Sequence, residues 1–229
     1  MFNSLVKKNG TNGANGAIGI IGLGRFGMAL AQRLCELGKE VLAIDESEAK
    51  IKEIRNYTEY AFVVDNFTKE TLEEAGVQNC EVVVVCISER IDVSILTTLN
   101  IVSLGVPKVI SKAISYEQGC VLEKLGAEVV YPERDMALRV AKRIVAANVL
   151  DYLSLNGGIE ISEIKISDKW INRAIGEIDI RKQYKLNIIA IEQSSNDIIT
   201  EINPTYKFTK GDIIIVIGKK EHIERFENQ

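Results

Sequence analysis

The strongest constraint on this chain is a short run, Ala17-Ile18-Gly19-Ile20-Ile21-Gly22-Leu23-Gly24-Arg25-Phe26-Gly27. An apolar segment leads into Gly-x-Gly-x-x-Gly. A helical pattern follows, apolar at Phe26, Met28, Leu30, Leu34 and Leu37 and stopping at Gly38. Strand, glycine turn and helix in that order leave few folds open. Gly22 suits a tight turn out of the strand. Gly24 leaves room for a ligand to approach the backbone, and Gly27 permits close helix–sheet packing. The unpaired N–H groups at the start of such a helix attract an anion such as a phosphate. Leu23, Arg25 and Phe26 complete the loop. Arg25 is a candidate partner for a terminal phosphate; a solvated charge on the helix face is the other reading.

The pattern then repeats. Strands are expected over 17–21, 40–44, 60–64, 81–87, 108–112 and 128–131, with helices between them. Val82-Val83-Val84-Val85 suits a central strand buried on both faces. This alternation predicts an α/β fold, a Rossmann-like doubly wound parallel sheet. Pro132 breaks the pattern. Residues 135–153 contain no Gly or Pro, and Met136, Ala137, Val140, Ile144, Val145, Val149 and Leu153 give them one apolar face. They read as a single long helix whose face is left for another subunit. Asn156-Gly157-Gly158 reads as a boundary. Beyond it, alternating isoleucines, a partly helical stretch over 170–184, a hairpin over 187–202, a strand at 212–217 and a last helix at 222–226 predict a small α+β lobe. The expected organisation is a flexible Asn/Gly-rich arm over 1–16, a nucleotide-binding lobe over 17–134, a crossover helix over 135–155 and a C-terminal lobe over 156–229.

An acid at the end of the second strand adds specificity to the glycine run. Asp45 follows Gly22 by 23 residues, where a carboxylate can accept bonds from both ribose hydroxyls of an adenosine; a helix cap is the alternative. Glu46 beside it joins the candidate set. Ligands of such sheets bind at the carboxyl ends of the strands. That places Asp65 and Asn66 at an adenine rim, or else at a helix cap. It also places Cys86, Ile87 and Ser88 along the ligand and Lys112 in the same crevice. Glu133 follows the last strand. A carboxylate near phosphates needs a cation between them, and a capping or surface role is the other reading.

Net charge is −4 with both signs dispersed, which gives no sign of a nucleic-acid partner. The four cysteines, Cys35, Cys80, Cys86 and Cys120, form no C-x-x-C pair and read as buried thiols. No apolar run approaches the ~18 residues of a spanning helix, and residues 1–16 do not read as a signal peptide. A cytoplasmic location is therefore expected. The loop and Asp45 also fit a nicotinamide-dependent oxidoreductase or a standalone nucleotide-binding adaptor. The single histidine, His222, lies far in sequence from the loop.

The chain resembles the cytosolic regulatory subunits of Ktr/Trk-type bacterial potassium uptake systems, built from an N-terminal and a C-terminal RCK lobe. The resemblance is carried by Gly22-Leu23-Gly24-Arg25-Phe26-Gly27, Val41-Leu42-Ala43-Ile44-Asp45, Val121-Leu122-Glu123-Lys124-Leu125-Gly126-Ala127, Tyr131-Pro132-Glu133-Arg134-Asp135-Met136 and Asn148-Val149-Leu150-Asp151-Tyr152. It implies a non-enzymatic ligand-gated ring. ATP and ADP, or NAD(H) in relatives, would occupy the N-lobe, with Arg25 on the phosphates. Glu133 would join a Ca2+, Mg2+ or Na+ ion at a dimer interface. Homodimers would assemble into an octameric ring on a membrane potassium-translocating subunit (KtrB/TrkH-like), peripheral to the inner face of the membrane. Cyclic di-AMP would bind the C-lobe through Asp179, Ile180 and Arg181.

Overall fold

The computed structural model describes residues 16–145 and 149–227. They form two compact units that divide between Arg134 and Asp135. Of the expected N-terminal arm, 1–16, all but Gly16 lies outside the described residues.

The first unit alternates strand and helix throughout: β1 (Ile18–Ile21), α1 (Arg25–Glu36), β2 (Val41–Asp45), α2 (Glu48–Ile54), β3 (Ala61–Val63), α3 (Lys69–Glu74), β4 (Val82–Val85), α4 (Ile91–Ser103), β5 (Lys108–Lys112), α5 (Tyr116–Lys124) and β6 (Glu128–Val130). The six strands run in the order β3-β2-β1-β4-β5-β6, and every pairing is parallel. Side chains alternate between the faces of a strand. Ile21, Leu42, Ile44, Val83, Val85 and Val109 pack with Leu72 of α3 and Ile101 of α4. Ile20, Val41, Ala43 and Val84 pack with Ala31 of α1 and Ile51 and Ile54 of α2. Helices therefore cover both faces, which is what a parallel sheet requires. The strand order reverses between β1 and β4. The two connections leave there in opposite directions and open a crevice at the strand ends.

Helix α6 (Pro132–Val145) follows. Met136, Leu138, Val140, Ile144 and Val145 on it are exposed. The expected helix over 135–153 is corrected at its far end. Residues Val149–Ser154 form strand β7, and residues 146–148 lie outside the described set. β7 pairs antiparallel with β8 (Ile159–Lys165), with Leu153 opposite Ile161. The physical reason is the Asn-Gly-Gly segment: Gly157 and Gly158 both take positive φ, 77° and 73°, and turn the chain back on itself. A turn followed by alternating isoleucines offers 149–154 a ladder partner that helical spacing alone does not reveal. The Asn156–Gly158 break is thus a hairpin turn between β7 and β8, and it falls within the second unit.

The second unit is completed by α7 (Ile175–Ile178), α8 (Ile180–Tyr184), β9 (Asn187–Glu192), β10 (Ile198–Ile199), β11 (Ile213–Lys219) and α9 (Lys220–Glu227). Its sheet runs β10-β9-β11-β8-β7. Trp170, Ile178, Ile180, Leu186, Phe208, Ile214, Val216, Ile223 and Phe226 form its core. Among the described residues no helix is long and apolar enough to cross a membrane.

Candidate functional site

The glycine loop is shaped by three different demands. Gly22 takes φ +93°, and a Cβ there would stand 3.2 Å from the Cys86 carbonyl carbon. A Cβ on Gly27 would overlap the Gly22 carbonyl oxygen, so the turn closes only around a hydrogen. A Cβ on Gly24 would meet no atom within 4 Å; the space above it belongs to the cleft. Gly24 is also the N-cap of α1, with no side-chain cap and no acidic residue in the first turn. The first N–H groups of α1 are therefore left for a ligand.

Asp45 is held rigidly beside this loop. It is 5% exposed. Its Oδ2 accepts from the Leu23 N–H at 2.5 Å, and its Oδ1 accepts from the Ser47 N–H at 2.8 Å. Lys50 reaches both oxygens at 3.3 Å. The carboxylate thus ties the loop to the end of β2. Leu23 acts through its N–H, with its side chain buried.

Across the crevice, Lys112 ends β5. Its side chain is 6% exposed, and Nζ donates to Glu133 Oε1 at 2.5 Å. The same ammonium stands 5.8 Å from the Phe26 ring centroid, a cation–π approach to the glycine loop. The Lys112 hydrogen bond, aided by the nearby Arg25, holds the Glu133 carboxyl below the usual carboxylate range. The end of β5 is fixed from below by a buried polar cluster. Thr98 and Ser111 share a hydroxyl contact at 2.9 Å. Gln118 donates to Ser94 Oγ at 3.2 Å and accepts from the Ile114 N–H at 2.9 Å.

One cleft of about 360 Å3 gathers Gly22, Gly24, Arg25, Phe26, Asp45, Glu46, Cys86, Ile87, Ser88, Lys112 and Glu133 from the sequence-derived set. Burial pushes the Cys86 thiol up to about 12, so it lines the cleft as a neutral group. Gly27 lies behind the loop as a packing position. Asp65 and Asn66 are not among the lining residues. Asn66 Oδ1 instead accepts from the Thr68 N–H and the Thr71 hydroxyl, just ahead of α3, whose N-cap is Thr68.

Four lining residues escaped sequence reasoning: Lys50, Phe67, Glu89 and Arg90. Arg90 pairs with Glu46 at 2.5 Å, joining the connection after β4 to the end of β2. The rule that strand ends face the ligand, carried three residues past Ile87, reaches Arg90. Lys50 lies in the first turn of α2, and no motif marks it.

A nucleotide fits these residues, since the cleft combines an uncapped helix start, open space over Gly24 and a buried acid. A cation does not fit the single chain. Glu133 is engaged with Lys112, and no cluster of three His, Cys, Asp or Glu side chains occurs among the described residues. The expected ion, which Glu133 would join, lies at a dimer interface, where a second copy would supply further donors. In the second unit, Asp179 takes φ 47° and pairs with Lys182 at 3.1 Å. Arg181 is exposed. Ile180 is 2% exposed, in the core of the second unit.

Gly24→Asp separates folding from binding. An N-cap aspartate is worth a few tenths of a kcal/mol over glycine, so stability is expected to hold or rise slightly. Its carboxylate would occupy the N–H groups a phosphate needs. Thermal melting together with nucleotide titration checks both halves; retained binding would contradict the placement of the phosphates.

The TrkA-N domain family model matches residues 18–132, and the TrkA-C domain model matches residues 159–229. Ktr system potassium uptake protein C of Bacillus subtilis is 39% identical over 208 residues, covering 90% of this chain and 94% of that protein. Ktr system potassium uptake protein A of the same organism is 34% identical over 208 residues, covering 90% and 93%. Among solved structures, the GsuK RCK domain is similar in fold, with a TM-score of 0.50 at 21% identity, over 96% of this chain and 47% of that one. The fold, the glycine loop with its acid, and these matches agree: the chain belongs to the family of Ktr potassium-uptake regulatory subunits, with a TrkA-N lobe followed by a TrkA-C lobe.

Proposed function

We propose that the chain is the nucleotide-sensing subunit of a potassium uptake system, and that its N-lobe cleft binds ATP and ADP. The observation that carries this is the convergence of the open α1 N-terminus, the buried Asp45 and two cations, Arg25 and Lys112, on one cleft. Asp45 would take the ribose hydroxyls, with Lys50 as the one partner able to swing aside, since it is part-exposed and the other two are backbone groups. Arg25, which has no ion pair among the described residues, would take the terminal phosphates. A difference in how ATP and ADP engage Arg25 and Lys112 would bias the protein between two conformations. Those conformations would gate a membrane potassium-translocating partner.

The exposed apolar residues of α6 support assembly with a second copy, and a ring of such dimers is the larger form this reading expects. A cation between the phosphates and Glu133 would need further donors from that second copy. Cyclic di-AMP remains a candidate for the C-lobe, with Arg181 the exposed member of its expected contacts. A hydride-transferring enzyme has less support, because His222, the single histidine, lies on α9 of the second unit.

The test is calorimetric titration of ATP and ADP into wild type and Arg25→Ala. The variant is expected to lose at least tenfold in ATP affinity, as removal of a charge-assisted contact of about 1.5–3 kcal/mol implies, with a smaller loss for ADP. Equal affinities for both nucleotides, unchanged in the variant, would refute the mechanism. Potassium flux in vesicles holding the co-purified membrane partner then checks the gating.

A further inference from the structure

The Lys112–Glu133 pair is asymmetric. Lys112 is 6% exposed at its side chain, and Glu133 is 66% exposed. A buried ammonium needs an anion beside it, because desolvation otherwise disfavours its charge. Glu133 has no such need: it can turn into water at little cost. The lysine is also braced on the Phe26 ring of the glycine loop, and the buried Thr98–Ser111 contact anchors the residue before it. Glu133 stands on a different element. It lies in the first turn of α6, which starts in the first unit at Pro132 and runs on into the second. Both residues line the cleft that holds Gly24 and Arg25.

We propose that Lys112 is an exchange latch, holding Glu133 when the cleft is empty and giving it up to the phosphates of a bound nucleoside polyphosphate, so that ligand binding frees the first turn of α6. The proposal rests on the nucleotide-binding reading above and supplies its coupling step. Phosphate and carboxylate are both anionic, and two anions within about 4–6 Å disfavour each other's charge. Lys112 therefore exchanges one for the other rather than serving both. The exchange makes Glu133 an internal competitor of the ligand. It also links occupancy of the cleft to the start of the helix that joins the two units, because a ligand shifts an equilibrium only through such a differential contact.

The test titrates ATP into the full chain in chelator-treated buffer, comparing wild type, Glu133→Gln and Lys112→Met, and follows amide hydrogen exchange over residues 132–138. Glu133→Gln keeps the shape and removes the competing charge. It is expected to bind ATP about fivefold tighter, the upper worth of a partly exposed ion pair. Its α6 amides should exchange fast with or without ligand, whereas in wild type ATP is needed to speed them. Lys112→Met is expected to weaken ATP binding at least tenfold. Unchanged or weaker ATP binding by Glu133→Gln, beside normal binding by wild type, would overturn the latch alone. No ATP binding by wild type would overturn the nucleotide reading, and the latch with it.

Discussion

Gly27→Ala is expected to destabilise the first unit by about 1–3 kcal/mol, the range for forcing extra atoms into packed structure, and to abolish nucleotide binding at concentrations that saturate wild type. The reason is local. The new methyl overlaps the Gly22 carbonyl oxygen, and it also presses on Cys86 Cβ at 3.1 Å. A carbonyl oxygen of the backbone cannot rotate away as a side chain can. Either α1 moves off the sheet or the turn after β1 opens, and both displace the N–H groups that a phosphate would meet. Chemical denaturation followed by tryptophan-independent probes of the first unit, such as far-ultraviolet circular dichroism, measures the first effect. Nucleotide titration measures the second. Normal stability with normal affinity would show that the loop has a slack the structure does not contain. Gly24→Asp in the same loop is the matched control, since its stability should hold while its binding fails.

Asp45→Ala is expected to cost about 2–3 kcal/mol and to lower nucleotide affinity at least a hundredfold. The stability loss comes from stranding the Leu23 N–H in a buried place and the Ser47 N–H in a part-buried one, each worth about 1–3 kcal/mol when left without an acceptor. Lys50 would also lose its counter-charge, a surface pair of small worth. The affinity loss has two parts: the ribose loses its acceptor, and the loop loses the tie from Leu23 to β2. Asp45→Asn separates them. Its amide oxygen can keep one N–H bond, while its NH2 group faces the other donor and the lysine, so part of the stability is expected to return and little of the affinity. Equal affinities for wild type and Asp45→Asn would mean that the ribose does not bind there.

Much of the first unit was legible because its signals are local. Gly22, Gly24 and Gly27 act within one turn, and the apolar strands and amphipathic helices repeat within spans of about five to thirteen residues. The long helix over 135–153 failed for the opposite reason. Strand β7 exists because β8 lies beside it across a glycine turn, and a window confined to 149–154 contains nothing of β8.

The sequence by itself determined the alternating α/β order, the glycine turn and the acid that follows it, since these depend on backbone sterics and short-range periodicity. Tertiary structure alone decided which charges meet. Lys112 and Glu133 are 21 residues apart, and Arg90 and Glu46 are 44 apart. They are neighbours because the sheet order β3-β2-β1-β4-β5-β6 brings the strand ends to one rim. Ion pairing depends on distance in space, and no spacing along the chain encodes which acid each buried or exposed cation will find.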